Sequence, residues 1–362
     1  MSRLFSPWNI RELTLPNRIM RSATWAGLAN DDGTPTPELI LAMAKVAEGG
    51  VGLVMSGFAF VAPLGKALPR QLGVHIDAMV GPLTRISDAI HKVGGRVGLQ
   101  IVHAGGQTRP QWCGGQPLAP SAVEYKGYSL PAELTREQIW DIVEAFAAAA
   151  ARARAAEFDA VQLHAAHGYL VNQFLSPLTN LREDEFGGEL EGRARFAREV
   201  VRAMRQAVGP EFPLMVKLTS TDGIEGGFTP EEAVEVARWL VADGADCIEV
   251  SGGVPAAGKL GPARAVRGVE DEAYFLDNAL KIKQAVDVPV VVVGGVRSLK
   301  VAEQAVEKVD AVAMCRPLIR EPDLVHAWRE GRSDRAECIS CNGCFKHTMI
   351  HGLGCAQLAK ED

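Results

Sequence analysis

The sequence predicts a (β/α)8 TIM barrel followed by a short cysteine-rich tail. Eight short, β-branched apolar runs recur along its 362 residues, and alanine-rich helical patterns separate them. This alternation implies parallel strands joined by crossover helices. A doubly wound sheet is disfavoured because no G-x-G-x-x-G sequence follows the first run, Ile19–Thr24.

The eight predicted strands are apolar enough to be buried on both faces of a sheet. In chain order they are Ile19–Thr24, Val51–Gly57, Arg96–Val102, Ala160–His164, Leu214–Thr219, Cys247–Ser251, Val290–Gly294 and Asp310–Cys315.

The predicted helices between these strands are clearest where their start signals are strong. Thr135 and Gln138 predict a capping box at the start of a helix over Thr135–Glu157. A Thr-Pro pair opens the helix over Thr229–Asp243. A final run over Glu321–Arg329 closes the barrel, so we expect the barrel to occupy residues 1–332 and the tail residues 333–362.

Composition favours a globular protein that binds small molecules. The net charge of −6 comes from 44 acidic and 38 basic residues without long blocks of one sign, which argues against a nucleic-acid partner. No stretch has the roughly 20 apolar residues needed to cross a bilayer, and the start lacks a signal-peptide core. We therefore expect a cytoplasmic protein with no membrane partner, and a homo-oligomer stays open.

Two histidines and a tyrosine lie at the end of the fourth predicted strand and just after it, in His164-Ala-Ala-His167-Gly-Tyr169. Barrels of this class place their chemistry at the C-terminal ends of the strands. Two imidazoles there can donate hydrogen bonds to one oxygen while negative charge develops on it, and Tyr169 can act as an acid. A zinc site, with His103 after the third strand as a further ligand, is the alternative.

Two polar residues interrupt predicted strands that should be buried. Gln100 lies in the run VGLQIVH and needs a partner that both donates and accepts, as the pyrimidine edge of a flavin does. Lys217 lies in LMVKLT, and a buried lysine must be paired or functional. Its partner is either an electron-rich cofactor atom or Glu249 of the next strand.

The loops after the seventh and eighth strands predict a phosphate site. Gly294 ends the seventh predicted strand and Gly295 follows it, and Arg316 follows the eighth. In such barrels, backbone N–H groups freed by glycine bind a phosphate between these two loops, and an arginine adds charge-assisted hydrogen bonds.

Four cysteines crowd the C-terminal tail, which indicates a metal rather than a disulfide framework. They are Cys338, Cys341, Cys344 and Cys355. Four thiolates at this spacing suit a [4Fe–4S] cluster or a structural Zn²⁺ ion, and unligated cysteines are the remaining alternative.

Three long motifs resemble the old yellow enzyme family of NAD(P)H:flavin oxidoreductases. They are LPNRIMRSAT, HAAHGYLVNQFLSPLTNLREDEFGG, and VGGVRS together with MCRPLIREP. The resemblance implies FMN at the barrel mouth and NAD(P)H as hydride donor. It implies that His164 and His167 bind the oxygen of an electron-withdrawing group and that Tyr169 donates a proton. The implied FMN-binding residues are Ala23, Thr24, Ala59, Gln100 and Lys217 at the ring, and Gly294, Gly295, Val296, Cys315 and Arg316 around the phosphate.

The tail resembles that of the 2,4-dienoyl-CoA reductase and trimethylamine dehydrogenase branch, although two rather than three residues separate Cys341 from Cys344. That branch carries a large C-terminal flavin and nucleotide domain. In a chain of 362 residues, electron input through the tail is therefore expected to need a separate partner.

The resemblance predicts an ene-reductase that passes hydride from NAD(P)H, through flavin N5, to the β-carbon of an activated alkene such as an α,β-unsaturated carbonyl. One alternative is a flavin-free barrel, an aldolase or isomerase acting on a phosphorylated sugar. The other is an electron-transfer subunit that a partner supplies through the cysteine tail.

Overall fold

A computed structural model describes residues 2–125 and 127–358, and it confirms the predicted barrel. The strands are β1 Trp8–Ile10, β2 Leu13–Leu15, β3 Ile19–Arg21, β4 Leu53–Met55, β5 Ala59–Phe60, β6 Val97–Val102, β7 Leu118–Ala119, β8 Ala132–Glu133, β9 Ala160–Ala165, β10 Leu214–Thr219, β11 Cys247–Ser251, β12 Val290–Val293 and β13 Ala311–Met314.

The helices are α1 Pro37–Glu48, α2 Val80–Lys92, α3 Pro110–Cys113, α4 Arg136–Ala155, α5 Leu170–Leu175, α6 Leu190–Val208, α7 Pro230–Ala242, α8 Leu276–Lys283, α9 Leu299–Val306, α10 Pro317–Arg320, α11 Leu324–Arg329 and α12 Gly343–His351. None of the helices in the described ranges is long and apolar enough to span a bilayer.

Eight of the strands close into a parallel barrel. Their hydrogen-bonding order is β3, β4, β6, β9, β10, β11, β12 and β13, and β13 returns to β3 with Val312 opposite Ile19. Each of the eight predicted runs overlaps one of these strands, and β9 extends one residue beyond its predicted run, to Ala165. The first two barrel strands are shorter than predicted, because β3 ends at Arg21 and β4 spans only Leu53–Met55.

A hairpin that the sequence did not predict packs into the barrel interior. Strands β1 and β2 pair in antiparallel fashion, and Trp8, Ile10 and Leu15 are buried against inward-facing residues such as Met20 and Met215. The hairpin precedes β3 and so packs near the N-terminal ends of the barrel strands. The C-terminal ends are left to form the site.

The helical start signals in the sequence are confirmed. The Thr135 hydroxyl accepts a hydrogen bond from the Gln138 N–H, and the Gln138 side chain accepts one from the Thr135 N–H. Thr229 and Glu232 form a second capping box at α7, whose first residue is a proline. Helix α4 packs with α6 in the outer layer, where Phe146 and Phe196 are fully buried.

Helix α12 of the tail lies against the C-terminal end of the barrel. Arg70 donates hydrogen bonds from Nη2 to the carbonyls of Thr348 and Met349, at 3.1 and 3.0 Å. The Phe345 ring lies 5.9 Å from the ring of Trp25. The proposed boundary at residue 332 stays a prediction, since Ala336 also binds the barrel by donating to the Arg297 carbonyl at 2.7 Å.

Candidate active site

A cavity of about 240 Å³, here called the mouth cavity, opens at the C-terminal ends of the barrel strands. Its wall contains eight residues predicted from sequence: Ala23, His167, Lys217, Gly294, Gly295, Val296, Cys315 and Arg316. It also contains residues that sequence reasoning missed, including Ser22, Ser251, Tyr274 and Arg297. The fold therefore gathers loops from opposite sides of the barrel into one site.

The three predicted catalytic rings converge beside this cavity. The centroid of the His164 ring lies 5.1 Å from that of His167 and 4.9 Å from that of Tyr169. The chain makes this approach through a tight turn after β9, in which His167 and Gly168 have φ values of +62° and +79°. Non-glycine residues seldom adopt such angles, and they are concentrated at functional sites.

Burial keeps both imidazoles neutral at pH 7. It lowers the pKa of His164 well below its usual value, and the charges of His167 and Lys217 act in the same direction. It lowers the pKa of His167 to about 3, with a further contribution from Lys217. Since the Nδ1 atom of His164 accepts a hydrogen bond from the Ala166 N–H at 3.3 Å, the ring proton of neutral His164 is on Nε2.

Tyr169 is held in its protonated form. Its side chain is buried, and burial raises its pKa above the ordinary value for a phenol. The Phe58 ring packs against it at 5.4 Å, and Gln107 hydrogen-bonds to it. The ring is thus positioned from two sides.

Lys217 pairs with Glu249, one of the two partners that the sequence left open, and it also faces the mouth cavity. Its Nζ lies 3.0 Å from the Glu249 carboxylate and donates to the Ser22 hydroxyl at 2.6 Å, and the residue also lines the mouth cavity. The ion pair with Glu249 and a position facing a ligand are therefore compatible.

Gln100, Thr24 and Ala59 are buried or partly buried and are not part of the wall of the mouth cavity. The Nε2 atom of Gln100 donates to Gln162 at 2.6 Å. The Thr24 hydroxyl lies 2.9 Å from the Cys315 sulfur. Ala59 is fully buried in β5, opposite Ile101.

The loop after β12 presents backbone N–H groups and leaves room for a ligand. Gly294 and Gly295 have φ values of +151° and +77°, and a Cβ atom on Gly295 would lie 2.7 Å from the Tyr274 ring. Within the described residues the N–H groups of Gly295 and Val296 have no hydrogen-bond partner. Free N–H groups in a glycine turn suit an anion such as the phosphate of FMN.

Arg316 bridges the cavity and the tail. Its Nη1 donates to the Asn342 side chain at 2.7 Å and to the carbonyls of Arg264 and Ser340, at 3.0 and 3.4 Å. The predicted phosphate ligand is thus also a structural contact of the tail.

The four tail cysteines surround a second, small cavity. Cys338, Cys341, Cys344 and Cys355 line a space of about 20 Å³ together with Arg316 and Arg320. Within the described part of the chain, however, no three His, Cys, Asp or Glu side chains are arranged to hold a metal ion. The cysteines thus share one place in the fold without forming a ligand set.

A third cavity, here called the side cavity, has Gly168 of the turn after β9 in its wall. Its volume is about 300 Å³, and more of its wall is apolar than polar. Gln107, the hydrogen-bond partner of Tyr169, contributes to the wall. The remaining described lining residues include Tyr125, Tyr128, Leu178, Ile224 and Val254.

Comparisons with known proteins agree with this geometry. The profile of the NADH:flavin oxidoreductase / NADH oxidase family matches residues 3–335. An NADH oxidase of Thermoanaerobacter brockii is 37% identical over 360 residues, which cover 97% of this chain and 54% of that protein. This chain thus spans about half the length of that relative.

Two solved structures have the same fold. A complex of 2-naphthoyl-CoA reductase with 2-naphthoyl-CoA superposes with a TM-score of 0.91 and 32% identity, over 98% of this chain and 56% of that one. An old yellow enzyme homologue from Zymomonas mobilis superposes with a TM-score of 0.80 and 27% identity, over 93% and 95% of the two chains. The chain belongs to the NADH:flavin oxidoreductase / NADH oxidase family, the old yellow enzyme family of FMN oxidoreductases that use NAD(P)H.

Proposed function

We propose that this chain is an ene-reductase, which transfers hydride from NAD(P)H to the β-carbon of an activated alkene such as an α,β-unsaturated carbonyl. The observation that carries the proposal is the convergence of His164, His167 and Tyr169 beside the mouth cavity. FMN, when bound, supplies the N5 atom that accepts and donates the hydride. The family match does not support the flavin-free aldolase or isomerase.

The residues of the mouth cavity have the chemistry that FMN needs. Lys217 would bring a positive charge to a bound flavin, whose reduced form carries negative charge. The N–H groups of Gly295 and Val296, which have no partner among the described residues, would suit its phosphate. The full proposed set is Ala23, Thr24, Ala59, Gln100 and Lys217 for the ring, and Gly294, Gly295, Val296, Cys315 and Arg316 for the phosphate.

His164 and His167 bind the substrate oxygen in this proposal. Because both rings are neutral, each carries one N–H, and that of His164 is on Nε2. The Nε2 atom of His167 lies 2.7 Å from the Ser251 hydroxyl, which orients the ring. Two hydrogen bonds to one carbonyl oxygen withdraw electrons from the alkene and make its β-carbon electrophilic.

Tyr169 is the proposed proton donor to the α-carbon. Its raised pKa keeps the proton on the phenol through neutral pH, and Gln107 and Phe58 hold the ring in place. The side cavity next to Gln107 offers space for the apolar body of the substrate. The 2-naphthoyl-CoA bound by the similar reductase supports a substrate that joins an apolar body to a carbonyl group.

The double variant His164→Ala/His167→Ala tests this proposal. We expect it to retain FMN and to lose about 100-fold or more in cyclohexenone turnover, because two donors to the developing oxyanion are removed. The matched control is His91→Ala, since His91 pairs with Asp159 at the far end of α2 and should not affect turnover. Unchanged turnover in the double variant would contradict the carbonyl-binding role.

A second candidate function concerns the tail. The four cysteines around one cavity favour a metal centre in the tail through which a partner protein supplies electrons. Thiolates suit a [4Fe–4S] cluster or Zn²⁺, but the side chains as placed form no ligand set, so no step is assigned to a metal.

Metal analysis of anaerobically purified protein tests the proposed tail centre. We expect iron with acid-labile sulfide, or zinc, at a stoichiometry that Cys338→Ser and Cys341→Ser together abolish. Metal content that does not depend on these cysteines contradicts the assignment. Rapid steady-state oxidation of NADH or NADPH without a partner would favour the ene-reductase over the electron-transfer subunit.

A further inference from the structure

A chain of buried polar side chains crosses the barrel interior beneath the mouth cavity. At its centre, the Glu249 carboxylate accepts hydrogen bonds from Ser22 at 2.7 Å and Gln162 at 2.8 Å, and it lies 3.0 Å from the Lys217 Nζ. Gln162 in turn accepts from Gln100 at 2.6 Å. None of these residues is more than 2% exposed.

The strand register places the two charges side by side. Lys217 in β10 is directly opposite Glu249 in β11, so both side chains point to the same face of the sheet. Lys217 and Ser22 belong to the wall of the mouth cavity, whereas Glu249 is fully buried and does not. The lysine therefore stands between the carboxylate and any ligand in the cavity.

The charge of Lys217 already reaches the neighbouring catalytic groups. It contributes to the lowered pKa values of both His164 and His167. In a buried environment such charges act over several ångströms, and removing one member of a pair exposes the full charge of the other. The negative charge of Glu249 therefore reduces the positive electrostatic potential that Lys217 produces in the cavity.

We infer that Glu249 is a positioning residue that balances Lys217 and thereby lowers the reduction potential of the flavin in the mouth cavity. This inference rests on the proposed FMN site. Two electrons and one proton added to the flavin leave it with a net negative charge near its pyrimidine edge, which Lys217 stabilises and Glu249 opposes. A reduced flavin that is less stabilised gives up hydride to an alkene more readily.

The variant Glu249→Gln tests the inference by potentiometry rather than by turnover. The FMN-loaded protein is reduced slowly by xanthine and xanthine oxidase in the presence of a reference dye. The absorption spectra of the flavin and of the dye then give the equilibrium constant for reduction of the flavin by the reduced dye. We expect this constant to rise about tenfold, which equals about 30 mV for a two-electron couple. Lys217→Met should change it by a similar factor in the opposite direction.

Asp246→Asn is the matched control. Asp246 is also a buried carboxylate, but it directly precedes β11, at the N-terminal end of the strand and away from the mouth cavity. There it binds Arg205, Arg11 and the Leu214 N–H. Its replacement removes one buried negative charge far from the mouth cavity. We expect the equilibrium constant to change less than threefold.

A double variant tests whether Glu249 acts through Lys217. In Lys217→Met, the buried carboxylate has lost its cation and should take up a proton, so it no longer opposes reduction of the flavin. Adding Glu249→Gln to Lys217→Met should then change the constant less than threefold. A further tenfold rise would show that Glu249 acts independently, and it would overturn the positioning role.

The remaining outcomes also decide the matter. An unchanged potential in Glu249→Gln, or an equal shift in Asp246→Asn, overturns the inference. If Glu249→Gln fails to retain FMN, Lys217→Met carries the test, and a wild-type potential in that variant overturns it. A wild-type protein that binds no FMN contradicts the proposed function itself, whereas one that reduces cyclohexenone without these shifts contradicts the inference alone.

Discussion

Histidines near the barrel mouth are buried deeply enough to lose affinity for protons. The free energy of unfolding should therefore depend on pH. His103, which follows β6, is 1% exposed, and burial lowers its pKa to about 4. The unfolded chain binds a proton at this residue below about pH 6.5, whereas the folded chain does not until about pH 4. The stabilising contribution is therefore complete above pH 6.5 and is lost as the pH falls toward 4.

His103→Gln should flatten this pH dependence. A difference of between two and three pKa units corresponds to about 3 kcal/mol, so the wild-type protein should lose about that much more unfolding free energy than the variant between pH 7 and 4. Urea unfolding at several pH values, with FMN held at one saturating concentration, measures both slopes. Equal slopes would contradict the assignment.

Buried polar residues of the barrel interior were predictable where a polar side chain interrupts an apolar strand, although their binding roles stay predictions. This signal led to Gln100 and Lys217, and to Glu249 as a candidate partner of Lys217. Gln162 has the same signal in AVQLH and could have been found by it. Its link to Glu249 could not, because it crosses the barrel between strands that are not neighbours and depends on side-chain direction.

At the scale of elements, the glycine turn after β12 determines whether a ligand can approach the backbone. Gly295→Ala would place a methyl group against the Tyr274 ring and on a residue with positive φ, and it should lower FMN affinity at least tenfold. Gly331→Ala is the matched control, since Gly331 also has positive φ but has no neighbouring atom within 4 Å.

Titration of the apoproteins with FMN, followed by flavin fluorescence, compares the two glycine variants. Backbone strain alone would lower the unfolding free energy of both by a similar amount, on the order of 1 kcal/mol, and leave FMN affinity unchanged. Equal FMN affinities in the two variants would therefore argue against close contact at Gly295.

The strands themselves were predictable because short apolar runs separated by capped helices have few other secondary-structure assignments. The β1–β2 hairpin was not, since each of its strands has only three residues and too little alternation to stand out. The predicted first strand was also too long. Ser22 and Thr24 lie beyond the last paired residue, Arg21. The Ser22 N–H still donates to the Met314 carbonyl at 2.9 Å, and the Ser22 hydroxyl bonds Lys217 and Glu249.

At the scale of the whole molecule, loops after several strands build the side cavity, which should set the size of the substrate. Ile224→Trp would fill part of this cavity. We expect kcat/KM for a bulky aryl enone such as benzalacetone to fall at least tenfold more than kcat/KM for cyclohexenone. Leu181→Trp, at a highly exposed position that does not line the cavity, should alter neither value. Equal losses for both substrates in Ile224→Trp would exclude size selection by this cavity.

Arg316 has a thermodynamic consequence for the whole chain. The same guanidinium holds Asn342 in the tail and lines the mouth cavity next to the glycine turn. Occupation of the turn by an anion and docking of the tail therefore share one group, and linkage requires any coupling between them to be reciprocal. If docking of the tail changes the affinity of the barrel for phosphate by a given factor, then binding of phosphate must change the equilibrium constant for tail docking by the same factor.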